Sequence, residues 1–173
     1  MAIAQPVLIV AINRGYTAAT QKEYSSIRYG YTVKLPVDWK LGRGGLETDF
    51  TEFETNLPET AFQITVVPLG KKDQSLLDHL HRLDKEIEGN YEGVPDASVE
   101  EGKKVTIGGL IGYQRREFYT TASEEVMATY TLWKKQVVAF SLLRRTELTN
   151  KHLGPSDEQL YNAILSTIHF LQQ

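Results

Sequence analysis

The 173 residues suffice for one domain with a core that needs no covalent staple. With 41% apolar residues, 24% charged residues and a formal net charge of -3, the composition is globular and lacks the cationic excess of a non-specific nucleic-acid binder. The chain has no cysteine, which excludes disulfides, thiolate metal ligands, cysteine nucleophiles and a lipid-modified cysteine. This favours the cytoplasm for this form, with an exported mature domain as the alternative.

The run Pro6-Val7-Leu8-Ile9-Val10-Ala11-Ile12 falls well short of the roughly 20 apolar residues of a membrane span. No charged stretch precedes it, so it is a poor secretory signal. An extra strand or an ordered arm is expected over residues 1–23, apart from a domain over 24–173. A trimmed export signal or a segment that docks on a partner are the alternatives. From Tyr24 the pattern is strand-like, through Ser25 to Tyr29 and past Gly30 into Tyr31–Pro36, where Tyr31, Val33 and Leu35 alternate with polar residues. Trp39 is expected in a turn, plugging one end of the core. Gly42-Arg43-Gly44-Gly45 reads as a loop before a strand over Leu46–Glu54. It lacks the Lys-Ser/Thr and following helix that a phosphate cradle needs.

Phe62–Val67 is rich in β-branched residues and closed by Pro68. Leu76, Leu80, Leu83 and Ile87 then recur at helical spacing, widened by Leu77, predicting a helix over Ser75–Glu88 with Asp73 or Ser75 as its cap. Gly89 falls just past its end, and Asp78 and Arg82 are spaced to pair on its exposed side. After a loop over Asn90–Asp96, strands are expected over Ala97–Ile107, Leu110–Thr120, Glu125–Trp133 and Val137–Leu143. They are joined at Gly108-Gly109, Thr121–Glu124 and Lys134–Gln136, connections short enough to make neighbours antiparallel. A last helix is predicted from Ser156, capped with Gln159, with Leu160, Ile164, Ile168 and Leu171 on its apolar face. The class is α+β: an antiparallel sheet of about six to seven strands flanked by helices.

Little in the chain carries chemistry. His79 and His81 are two apart on a helix and point to different faces, and His152 and His169 are isolated. No serine sits in a nucleophile elbow. Glu124-Glu125 and Asp157-Glu158 fit a hairpin and a helix's first turn. The basic pairs Arg115-Arg116, Lys134-Lys135 and Arg144-Arg145 split across the sheet because neighbouring strand residues face opposite ways. They read as solubility and edge protection, with a cationic stripe for an acidic partner as the alternative. Aromatic residues crowd the predicted strands: Tyr29, Tyr31, Tyr113, Phe118, Tyr119, Tyr130, Trp133 and Phe140. Any left uncovered would favour a protein partner. The candidate partner-binding residues are therefore Tyr113, Arg115, Tyr119, Tyr130 and Trp133, with Val7 and Ile9 of the N-terminal segment.

The stretch Gly30-Tyr31-Thr32-Val33-Lys34-Leu35-Pro36-Val37-Asp38-Trp39 resembles the entry strand of the PsbP-like families, whose fold is shared by PsbP, the Mog-type Ran-binding proteins and DcrB-like bacterial proteins. The order of elements up to Ile168-His169-Phe170 is similar too, so the resemblance covers about Tyr24 to Phe170. It implies an α-β-α sandwich and a non-enzymatic binding or assembly module, an accessory subunit of a larger complex. The alternatives are a DcrB-like chaperone for apolar helices of a client and a small-ligand carrier or enzyme with a sheet–helix pocket. No catalytic residue, cofactor or metal is assigned. A protein partner or a second copy of the chain is expected, through the N-terminal segment or an exposed sheet face, with no nucleic acid and no integral membrane segment.

Overall fold

The computed structural model describes residues 21–57, 59–88, 97–147 and 151–171. Val7 and Ile9, Gly89 and the loop over Asn90–Asp96 lie outside them. Strand β1 (Gln21–Ser26) starts within the segment set apart as an arm and pairs antiparallel with β2 (Tyr31–Pro36). Tyr29 belongs to the turn between them rather than to a strand. There Gly30 N–H donates to Ser26 O at 2.9 Å with φ +66. A Cβ at Gly30 would stand 3.2 Å from Trp133 Nε1, so both backbone and space select glycine.

Trp39 follows β2 and is 2% exposed, the core plug that its position predicts. The glycine-rich stretch expected as a loop is instead an exposed edge strand, β3 (Lys40–Gly44). Its pairing with β4 (Phe50–Glu54) shifts register between Leu41 and Gly44, a bulge that blunts the sheet edge. Next come β5 (Thr60–Pro68) and α1 (Leu76–Glu88). Ser75 caps α1, its Oγ accepting Asp78 N–H at 3.2 Å.

The strand expected over Ala97–Ile107 is broken into β6 (Ala97–Val99) and β7 (Lys103–Ile107), both paired with β8 (Leu110–Tyr119). A hairpin leads to β9 (Glu124–Trp133). A tight turn at Lys134 and Lys135, both at positive φ, leads to β10 (Gln136–Arg145). The order β3-β4-β5-β10-β9-β8-β6, with β7 also on β8, makes an eight-stranded antiparallel sheet.

The final helix, α2 (Pro155–Leu165), is shorter than its periodicity suggests. Asp157, not Ser156, closes its start by accepting Gly154 N–H at 2.8 Å. Ile168 is buried, but beyond the helix, and His169–Phe170 form β11. β11 pairs with β2 to complete a second sheet, β1-β2-β11. Gly108, at φ +54, admits Phe170, whose Cδ2 would lie 2.7 Å from a Cβ there.

Alternation sorts the large sheet into two faces. On one, Tyr161, Ile164 and Leu165 of α2 and Tyr31, Val33 and Leu35 of β2 close over Phe62, Ile64, Phe140 and Leu142. On the other, Leu76 and Leu80 of α1 pack on Val126, Ala128, Tyr130, Val137 and Leu143. Of the predicted core, Leu35, Phe62, Ile64, Tyr31, Leu80, Ile164 and Ile168 are buried, and Leu83 is half-buried. No helix of the described residues is long and apolar enough to cross a membrane.

Candidate functional site: the half-covered sheet face

Among the described residues one helix of 13 residues packs on this face, too little to cover all of an eight-stranded sheet. Helix α1 packs near β6 and β9, leaving Gln63, Thr65 and Val67 of β5 and Ala139 and Ser141 of β10 only half-buried. Between these residues and His79 and Leu83 of α1 lies a cavity of about 370 Å³. Its lining is a mix of short apolar and hydroxyl side chains with Tyr119, Tyr130 and Glu117 at one side.

Glu117 is 1% exposed. A buried carboxylate is tolerated only where donors replace its water, and three do so here. Arg115 Nε donates to Oε1 at 2.7 Å, Tyr130 O–H to Oε1 at 2.7 Å and Tyr119 O–H to Oε2 at 2.7 Å. Arg115 in turn donates through Nη1 to Asp84 of α1 at 2.7 Å and lies over the Tyr130 ring at 5.0 Å. Burial by itself would push the Arg115 guanidinium down, but the Glu117 charge and the groups around it outweigh that and hold it above its ordinary value. Burial, and then the Glu117 charge, push the Tyr130 phenol well above its ordinary value.

At the start of α1, Asp73 accepts Arg82 Nη2–H at 3.1 Å and stands 3.2 Å from His79 Nδ1. Arg82 also pairs with Glu86 at 2.7 Å, so the expected Asp78–Arg82 pair gives way to partners that hold the helix to its leading loop. On β4, Glu52 accepts from Arg43 Nε at 2.9 Å and Gln63 Nε2 at 2.8 Å.

Tyr113, Arg115, Tyr119 and Tyr130 thus share one face and one neighbourhood. Arg115 and Tyr130, however, are buried at 6% and 8% exposure rather than displayed. Trp133 is on the opposite face, because its odd position alternates with Tyr130, and it packs on Phe170 at 5.2 Å between ring centroids. The two arginine pairs do split across the sheet and all four side chains meet carboxylates, while Arg145, Lys134 and Lys135 remain exposed. Arg116 reaches Glu125 at 3.1 Å, and Arg144 holds Asp157 at 2.8 Å, so both clamp the approach to α2. Arg145 pairs with Glu124 at 3.2 Å on the other side. Lys134 and Lys135 lie in the turn. Glu117 and Asp84 escaped the sequence reading, although the alternation Tyr113, Arg115, Glu117, Tyr119 puts Glu117 in the same row.

This architecture is an α+β sandwich of the PsbP type. A cyanobacterial PsbP from Synechocystis superposes with a TM-score of 0.60 at 16% identity, covering 90% of this chain and 95% of that one. LpqN of Mycobacterium tuberculosis, involved in cell envelope biogenesis, superposes with a TM-score of 0.51 at 14% identity over 92% of this chain and 99% of its own. A Bacteroides thetaiotaomicron protein does so with a TM-score of 0.57 at 13% identity, covering 89% of this chain and 50% of that one. No protein-family model and no curated protein matches the sequence. Identities this low establish a shared fold and leave function to the site.

Proposed function

We propose that the chain is a non-enzymatic binding module, an accessory or assembly subunit that holds a protein partner against the half-covered face of its sheet. The observation that carries this reading is the contrast within that face. Its charged groups are engaged with one another: Glu117 by three donors, Arg115 by two carboxylates. Around them, Thr65, Val67, Ala139 and Leu143 leave a concave, largely apolar floor. A general acid or base needs a proton site that a substrate can reach, and the oxygens of Glu117 already face Arg115, Tyr119 and Tyr130. Aromatic and short apolar side chains in a shallow depression suit a protein surface instead. LpqN, with the same fold, is involved in cell envelope biogenesis, so the fold accommodates a role of that kind.

The test is site-specific crosslinking in the source cells. A photoreactive phenylalanine is placed at Ala139 on the half-covered face, and in a control at Lys22 on the exposed side of β1. Discrete adducts from Ala139 and none from Lys22 are expected. Adducts of many masses from Ala139 favour the chaperone reading, and identical patterns from both positions overturn the assignment.

A further inference from the structure

A second and larger cavity, of about 800 Å³, opens between α1 and the β6–β8 end of the sheet. Leu77 and Leu80 of α1, Ala97 and Val99 of β6 and Tyr113 of β8 form its apolar walls. Among the described residues, the carboxylates Asp84, Glu100 and Glu101 line it against the guanidinium of Arg115, with His81 alongside. Asp84 is taken by Arg115 at 2.7 Å. Glu100 and Glu101 are exposed and have no ion pair among the described residues. Lys104, opposite Tyr113 in the β7–β8 register, adds a cation beyond this lining.

Two independent features mark the cavity as built to receive something. Arg115, with its side chain 4% exposed, uses Nε and Nη1, but its buried Nη2 has no hydrogen-bond partner among the described residues. Such a donor is costly until an acceptor meets it. The sheet is also interrupted here. Glu100 N–H still donates to Arg116 O at 2.9 Å, but pairing resumes only at Lys103, so Glu101 and Gly102 bulge out beside Arg115. Bulges of this kind re-aim side chains next to functional sites. β6 ends the strand order, so among the described residues no strand pairs with its outer edge.

We propose that this cavity seats an extended basic segment of a partner protein. A backbone carbonyl of the segment meets Arg115 Nη2, its lysine or arginine side chains meet Glu100 and Glu101, and its apolar neighbours pack on Leu77, Leu80 and Tyr113. The open edge of β6 offers backbone groups to an added strand. An acidic segment would set like charges against Glu100 and Glu101, which is the discrimination such a wall provides. This inference rests on the binding-module reading and names the chemistry of the partner.

The experiment selects a phage-displayed library of random dodecamer peptides on the full chain, then measures the selected peptides by fluorescence anisotropy. Expected are peptides with Lys or Arg between apolar residues. Glu100→Gln/Glu101→Gln should weaken them about ten-fold, Leu77→Asp should abolish binding, and Lys22→Ala should leave it unchanged. Enrichment of acidic or uncharged peptides overturns the proposal, as does affinity that is indifferent to the Glu100/Glu101 and Leu77 changes. Peptides lost on Ala139→Trp but kept on Leu77→Asp overturn this site while leaving the binding-module reading standing. If nothing is enriched, the extended-segment proposal falls, and the crosslink at Ala139 still decides the broader reading.

Discussion

A carboxylate that is 1% exposed survives only where its partners are fixed before it arrives, and at Glu117 the strands fix them. Arg115 and Tyr119 are its neighbours two residues away on β8, and Tyr130 is delivered by β9 in the register that pairs it with Tyr113. Removing Glu117 leaves Arg115 with one carboxylate and takes a charged acceptor from the two phenols. Glu117→Ala is therefore expected to cost about 3–5 kcal/mol, the usual penalty for orphaning a buried charge. Tyr130→Phe, which removes one bond to that charge, should cost about 1.5–3 kcal/mol. Urea denaturation followed by circular dichroism measures both. A Glu117→Ala midpoint equal to wild type would show that the cluster stores no net stability and that the face owes its shape to apolar packing alone.

At the scale of elements, both helices are held by charge as well as by packing. α2 is fastened by charge as well as packing, since Arg144 grips Asp157 at 2.8 Å and Tyr161 donates to Phe140 O at 2.6 Å. α1 is tied by Asp84 to Arg115 and by Arg82 to Asp73, and it packs through Leu76 and Leu80, at 7% and 4% exposure. Leu80→Ala should then cost about 2–5 kcal/mol, read as a drop in the denaturation midpoint, and an unmoved midpoint would mean that α1 contributes little to the fold. α1 was legible because its apolar period repeats locally, as were β5 and the β9–β10 hairpin. What could not be read depends on distant partners. Ile168-His169-Phe170 continues a helical pattern, yet β2 captures His169 and Phe170 as a strand through pairing with Thr32 and Tyr31. Lys40–Gly44 is glycine-rich enough for a loop, and only β4 makes it a strand. Within the candidate site, aromatic content grouped Tyr113, Tyr119, Tyr130 and Trp133, whereas alternation puts Tyr113, Arg115, Tyr119 and Tyr130 on one face and Trp133 on the other. The same alternation could not say that α1 brings Asp84 to Arg115 and so buries what seemed free to bind, or that β11 carries Phe170 to cover Trp133.

For the molecule as a whole, one face of the large sheet is closed by α2 and the small sheet, while the other is half-closed by α1 and edged by ion pairs. Two of those pairs make the open side acid-sensitive. Asp73 anchors the loop before α1, and the hydrogen bond from Arg82 holds its carboxyl below the ordinary aspartate value against the opposing effect of burial. At Glu52, burial acts to raise the pKa, but bonds from Arg43 and Gln63 together with the charges of Arg43 and Arg145 outweigh it and lower it. A carboxylate that is more acidic in the folded state binds its proton later than in the unfolded chain as pH falls. Its contribution is therefore complete above the unfolded value, about 4, and is lost as pH drops through the lowered folded value. The melting temperature should accordingly hold from about pH 7 to about pH 5 and fall below about pH 4. Arg82→Gln removes the group that lowers Asp73 most, ahead of His79. It should melt lower than wild type at neutral pH but lose less between about pH 5 and about pH 3. Melting curves across that range, in one buffer series at fixed ionic strength, give the comparison. If Arg82→Gln loses as much as wild type on acidification, the acid sensitivity resides elsewhere, and the anchor of α1 is not the Asp73–Arg82 pair.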